Sequence, residues 1–260
     1  MLSQVKYEFI RTPLERPLLW LRSALDCRER WRNPELREIY LESGRIGAAL
    51  KRVLHRSSNC VDIGCHYGSM LSCFCRLAPD GRHIAFEPIP GKACFLRRKF
   101  PEVDVREMAL SDHPGEQCFY VNRLQTGFSG LARHGEGDFA QIQVASARLD
   151  DVVPRDRRFD LLKVDVEGAE LFVFRGATEL LRRDRPTIVF ECGPSGPDAF
   201  GYKPGEIHAL LTAYGYSIFL LKEFLASGRA LDRLAFEAAL VYPFKAFNWI
   251  ALPSELVRAC

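Results

Sequence analysis

The 260-residue chain lacks a run of about 18 apolar residues, the length needed to cross a bilayer as a helix. Its nine cysteines contain no C-x-x-C pair and its six histidines no H-E-x-x-H spacing, which removes the patterns of structural zinc sites and zinc hydrolases. Any metal would be bound through oxygen, and the odd cysteine count points to reduced, packed thiols. Net charge is small, +3, and uneven: residues up to Arg56 carry 12 Lys and Arg against 7 Asp and Glu, which leaves −2 for the remainder. A surplus of that size has no concentrated basic face behind it, so no nucleic-acid partner is expected. The opening residues, with Lys6, Glu8, Arg11 and Pro13, have no signal-peptide apolar core, and the expected location is the cytoplasm.

What is present is enough apolar residue, 47%, for one well-buried domain with an appendage. Residues 1–58 read as a helical extension broken by Pro13, Pro17 and Pro34, because proline ends helices. Leu14, Leu18, Leu21 and Leu25 make one apolar stripe there. It packs on the protein's own core or, with Trp20 beside Arg16, Arg22 and Arg28, lies in a membrane interface as a peripheral contact.

From residue 59 to residue 260 strands alternate with helices: "CVDIG", a helix to about Leu77, "RHIAFEP", a helix to about Phe100, then "VDVREMAL". That alternation predicts an α/β fold with a mostly parallel sheet. At 115–149 the next helix is replaced by two alternating runs, "EQCFYV" and "AQIQVAS", which predict a hairpin-like insertion over the sheet. "TIVFECGP" gives a further strand, and "YSIFLL" with "AALVYPF" predicts a terminal strand pair.

Two stretches carry chemistry. After the first strand the turn reads Asp62, Ile63, Gly64, Cys65, His66, Tyr67, Gly68, and Glu87 ends the second strand. A dinucleotide fingerprint wants glycines at 64, 66 and 69, and only the first is there; His66 crowds the point where backbone must approach a pyrophosphate. A ligand without phosphate and with positive charge suits the loop better. S-adenosylmethionine is such a ligand, and its ribose hydroxyls suit Glu87. The second stretch, "FDLLKVDVEGAE", runs from a buried strand into Asp165, Glu167 and Glu170. Acids near a helix start complement the helix dipole, which accounts for Glu167 and Glu170; Asp165, at the end of a buried strand, needs a partner or a ligand.

The ordered set "VDIGCHYG", "AFEPIP", "MALSD", "TGFSGL", "LLKVDVEGAE" and "TIVFECGP" resembles the FkbM-type methyltransferase family over Asn59 to Pro194, about half of the chain. The resemblance implies a Rossmann-like class I methyltransferase fold, with a seven-stranded sheet, helices on both faces and a reversed terminal strand pair. It implies O-methylation of a small metabolite, sugar or polyketide hydroxyl with S-adenosylmethionine as cofactor. By position, Asp62, Gly64, His66, Tyr67 and Gly68 form the cofactor loop, Glu87 is the ribose acid, and Ala109, Leu110 and Asp112 belong to the adenine-side strand end. His66 stands where the family usually has Asn, and Cys65 where Ala is common.

If the strands carrying "LLKVDVEG" and "TIVFECG" are neighbours, Asp165 and Glu191 end side by side. Asp165 is then the expected base, Glu191 its partner, and Glu167 a substrate contact; a magnesium-type cation on Asp165 and Glu191 is the other route to an activated hydroxyl. Glu170 reads as a structural cap, and Thr126 with Ser129 could close over the substrate. Two other function classes remain at this point: a nicotinamide oxidoreductase, and a methyltransferase-like binding protein without catalysis.

Overall fold

The computed structural model describes residues 9–12, 14, 31–125, 127–133, 137–194 and 196–257. Leu18, Leu21 and Leu25 of the expected apolar stripe, Trp20 with Arg16, Arg22 and Arg28 of the expected membrane contact, and Thr126 of the expected lid lie outside these. Ten strands follow in chain order: β1 (Cys60–Ile63), β2 (Ile84–Phe86), β3 (Asp104–Arg106), β4 (Ala109–Leu110), β5 (Gly115–Asn122), β6 (Phe139–Ala147), β7 (Leu161–Val164), β8 (Thr187–Glu191), β9 (Tyr216–Leu220) and β10 (Asn248–Pro253).

Seven of them make one sheet in the order β3-β2-β1-β7-β8-β10-β9. β1 pairs in parallel with β2 and β7, β7 with β8, and β2 with β3, whereas β10 runs antiparallel to both β8 and β9. This is the Rossmann-like class I arrangement with a reversed last strand. The chain order turns round between β1 and β7, and open α/β sheets bind ligands beyond the carboxyl ends of the strands at such a point.

Period-two alternation explains why the sheet is buried on both faces. Val61, Ile63, Leu162, Val164, Ile188 and Phe190 share one apolar core with Phe174 and Trp249. Their strand neighbours Cys60, Leu161 and Val189 share the other with Leu50, Leu71 and Phe74. Each such side chain contributes about 1.5–3 kcal/mol on burial. In the same alternation Asp62 and Lys163 fall on the second face and pair in register across β1 and β7. Two charged residues thus sit where the pattern otherwise places apolar ones.

The helix Glu42–Val53 joins the second core through Ile46, Ala49 and Leu50. Glu42 at its start is buried and accepts hydrogen bonds from the Phe247 and Asn248 amides and from Asn248 Nδ2. No described helix is long and apolar enough to cross a membrane. The seven described cysteines are all free thiols.

β5 and β6 form an antiparallel hairpin, and β4 adds to β6 in a separate three-stranded sheet. "VDVREMAL" is therefore not one strand: β3 ends at Arg106 in the main sheet, and the chain crosses Glu107 and Met108 to enter the second. The helix expected after Asp165 is two, Glu170–Arg175 and Thr178–Arg183, broken at Gly176, whose Cα lies close against the Ser111 carbonyl. "AALVYPF" is not a strand either. Its first two residues close the helix Arg233–Ala239 and the rest turns, since Pro243 has no N–H to give a ladder; the final strand is "NWIALP".

Candidate active site

The turn after β1 is left-handed at Gly64, His66 and Gly68. A Cβ on Gly64 would overlap the backbone oxygen of Asp165, so only glycine fits there. The Asp165 amide in turn donates to the Ile63 carbonyl, which draws the ends of β1 and β7 together. The helix Ser69–Leu77 starts directly behind this loop.

Glu87, one residue past β2, is 3% exposed. Its Oε2 accepts the His66 amide at 2.9 Å and its Oε1 the Ile89 amide at 3.0 Å. Burial pushes its pKa up, against the pull of Lys92 and the two amides. Lys92 is also buried, which lowers its pKa against the pull of Glu87, and its ammonium lies 5.7 Å from the centre of the Tyr67 ring.

At the end of β7, Lys163 reaches three groups: Asp165 Oδ2 at 3.0 Å, Asp62 Oδ1 at 3.5 Å and the Gly64 carbonyl at 3.0 Å. Burial alone would lower the lysine's pKa, but the two aspartates outweigh it and raise it. Asp62 is 0% exposed and neither oxygen has a hydrogen-bond partner; burial raises its pKa although Lys163 opposes the shift. For Asp165 burial acts in the same sense, yet Lys163 and a hydrogen bond with Glu191 win and lower the pKa. Glu191, at the end of β8, is driven well above the usual carboxylate range by burial and then by the charges of Asp165 and Glu167. The two shifts run in opposite directions and favour a proton on Glu191 over one on Asp165.

These ends surround a cavity of about 290 Å³ lined by Gly64, His66, Glu87, Ala109, Leu110, Asp165 and Glu167 among others. Seven of the expected site residues thus share one space. Asp62 and Glu191 are not in its wall but touch residues that are, through Lys163 and Asp165. Tyr67 and Gly68 back the loop rather than face the cavity, and Asp112 is engaged with His113 Nδ1 at 2.6 Å. Residues not expected in the site complete the wall. Ile89, Met108 and Leu131 lie within quoted motifs, whereas Met70, Lys92 and Phe119 come from two helix starts and the hairpin, where their types alone read as core or solvated surface. Of the expected lid, Ser129 lines the cavity and its Oγ accepts the Asn122 amide at 3.1 Å.

A magnesium ion does not fit between Asp165 and Glu191. Lys163 already supplies the positive charge at 3.0 Å from Asp165, the carboxyls bond to each other, and the described residues contain no group of three or more His, Cys, Asp or Glu able to hold a metal.

The methyltransferase FkbM domain model matches residues 62–218, more than half of the chain. The 2-O-methyltransferase NoeI of Sinorhizobium fredii is 30% identical over 144 residues, 48% of this chain and 59% of NoeI. The AMB antimetabolite synthetase AmbE of Pseudomonas aeruginosa is 24% identical over 209 residues, 65% of this chain and 10% of AmbE. The chain spans less than two thirds of the length of either relative. The crystal structure of Methyltransferase FkbM from Methylobacillus flagellatus superposes with a TM-score of 0.50 at 14% identity, over 76% of this chain and 44% of that one, a likeness of fold.

Proposed function

The chain belongs to the FkbM methyltransferase family, and on that footing we propose that it is an S-adenosylmethionine-dependent O-methyltransferase acting on a hydroxyl of a small metabolite, a sugar or a polyketide. The observation that carries this reading is that one cavity has Glu87 and the Gly64 turn on one side and Asp165 on the other. A cofactor seat and an acid able to receive a proton thus share a single space.

When bound, S-adenosylmethionine supplies a methyl group on a positively charged sulfur. Glu87 would accept from the ribose hydroxyls with the lone pairs left after its two amide bonds. Ile89, Met108, Ala109 and Leu110 offer an apolar wall to the adenine. Asp62, buried behind the loop with no hydrogen-bond partner, favours positive charge in the turn.

On the acceptor side, Lys163 and the hydrogen bond with Glu191 lower the proton affinity of Asp165. A carboxylate of low proton affinity does not strip an alcohol in advance. It orients the hydroxyl and takes the proton as the oxygen bonds to carbon. Holding the hydroxyl in line supplies much of the remaining rate.

The His66 amide, which a dinucleotide pyrophosphate would need, is already given to Glu87, and this disfavours a nicotinamide cofactor. Calorimetry with each ligand tests the reading: binding of S-adenosylmethionine and its demethylated product without binding of NAD is expected. Tight NAD binding with no S-adenosylmethionine signal would overturn it.

A further inference from the structure

Glu170 is the first residue of the helix Glu170–Arg175, and an acid there gains from the helix dipole without being buried. Here it is 1% exposed. Its Oε1 turns back on the preceding loop, accepting the Val166 amide at 3.0 Å and the Gly168 amide at 3.1 Å. Its Oε2 is buried without a hydrogen-bond partner. Burying a carboxyl this way is unfavourable unless it fixes something.

What it fixes is a turn that the backbone resists. Glu167 and Gly168 are both left-handed, at φ 57° and 100°, and Glu167 has a side chain to strain in that region. The Tyr202 hydroxyl donates to the Gly168 carbonyl at 2.8 Å. The Gly196 backbone lies so near that a Cβ on Gly168 would come within 2.5 Å of its oxygen. Glu170 thus holds the amides of the turn and Tyr202 its carbonyl, and Glu167, at the crest, lines the cavity beside Asp165.

We propose that Glu170 is the positioning residue of the acceptor side: by binding the Val166 and Gly168 amides it locks the left-handed turn that sets Glu167 in the cavity wall next to Asp165. The role requires an acceptor atom, not a negative charge, so Gln can replace Glu. This rests on the reading of the cavity as a methyl-transfer site, but the geometry it concerns can be observed without turnover.

The experiment uses the full chain with Glu170→Gln, Glu170→Met and Glu170→Ala. Amide exchange at Val166 and Gly168 is followed by NMR, S-adenosylmethionine affinity by calorimetry, and transfer of labelled methyl to acceptors in a cell extract by counting. In the Met and Ala variants both amides should exchange faster by about a hundredfold as their hydrogen bonds are lost. Transfer should fall by about tenfold or more because the wall is displaced, with cofactor affinity within about threefold of wild type, since Glu87 and the Gly64 turn are untouched. Glu170→Gln should keep protection and transfer. Unchanged amide protection in the Met and Ala variants overturns the assignment, as does a Gln variant that behaves like Met. Loss of the folded circular-dichroism spectrum in both Met and Ala variants also overturns it, in favour of general packing. If wild type itself binds no S-adenosylmethionine, the functional reading fails, and amide exchange alone decides the role of Glu170.

Discussion

Asp62 at the end of β1 and Asp165 just past β7 flank the same lysine, at 3.5 and 3.0 Å, yet their pKa values move in opposite directions. On the cofactor side, Asp62 and Glu87 are both pushed up by burial. Past β7 and β8 the shifts part: Glu191 is pushed up and Asp165 is held down. The difference teaches that a strand-end acid has no fixed role. A shorter contact to Lys163 and a hydrogen bond with Glu191 separate the acid whose pKa falls from the one whose pKa rises.

The strongest way to break the contrast is to remove what both sides share. Lys163→Met leaves the buried Asp62 and the half-buried Asp165 uncompensated and should cost about 3 kcal/mol of stability in urea unfolding. A loss under about 1 kcal/mol would mean that the lysine does not separate the two acids. Next, Asp165→Asn keeps shape and removes charge on one side only. Methyl transfer should drop by about a hundredfold or more, while S-adenosylmethionine affinity by calorimetry changes by less than about threefold; full turnover would make Asp165 structural.

Glu170 sharpens the contrast through pH. Burial raises its pKa from 4.5 to about 7. A carboxyl raised in the folded chain contributes stability that is complete below its unfolded value and is lost as pH climbs through the folded one. Wild type should therefore lose up to about 3 kcal/mol relative to Glu170→Gln between about pH 4.5 and 7, measured by urea midpoints across that window. Parallel curves for the two proteins would show that Glu170 does not titrate there. The smallest effect belongs to the cofactor side: Glu87→Ala should weaken S-adenosylmethionine binding by about tenfold and leave the rate at saturating cofactor nearly unchanged. An unaltered dissociation constant would refute the ribose role.

Much of this frame could be read before any coordinates. The alternation of Cys60–Ile63 and Leu161–Val164 fixes two buried strands, and the glycine at 64 after an acid marks the turn. The neighbours Asp165 and Glu191 followed from strand order. What escaped depends on packing across the chain. The run "LLKVD" sets Lys163 near Asp165 in sequence, and only its register against Asp62 on another strand makes it a bridge. Lys92, Met70 and Phe119 carry no motif and join the site only through the helix starts and the hairpin. "AALVYPF" has the composition of a strand, whereas "NWIALP" won the place because Trp249 fills the core at 0% exposure and donates Nε1–H to the Cys192 carbonyl at 3.1 Å.

The contact between Gly64 and the Asp165 carbonyl has a consequence for traffic. With the Asp165 amide bonded to the Ile63 carbonyl as well, the seam between β1 and β7 is closed at the level of the main chain. The hairpin β5–β6 supplies the remaining wall through Phe119, Ser129 and Leu131, and its sheet shares no hydrogen-bonded strand with the main one. For traffic, then, the cavity is bounded by that closed seam on one wall and by the hairpin on another.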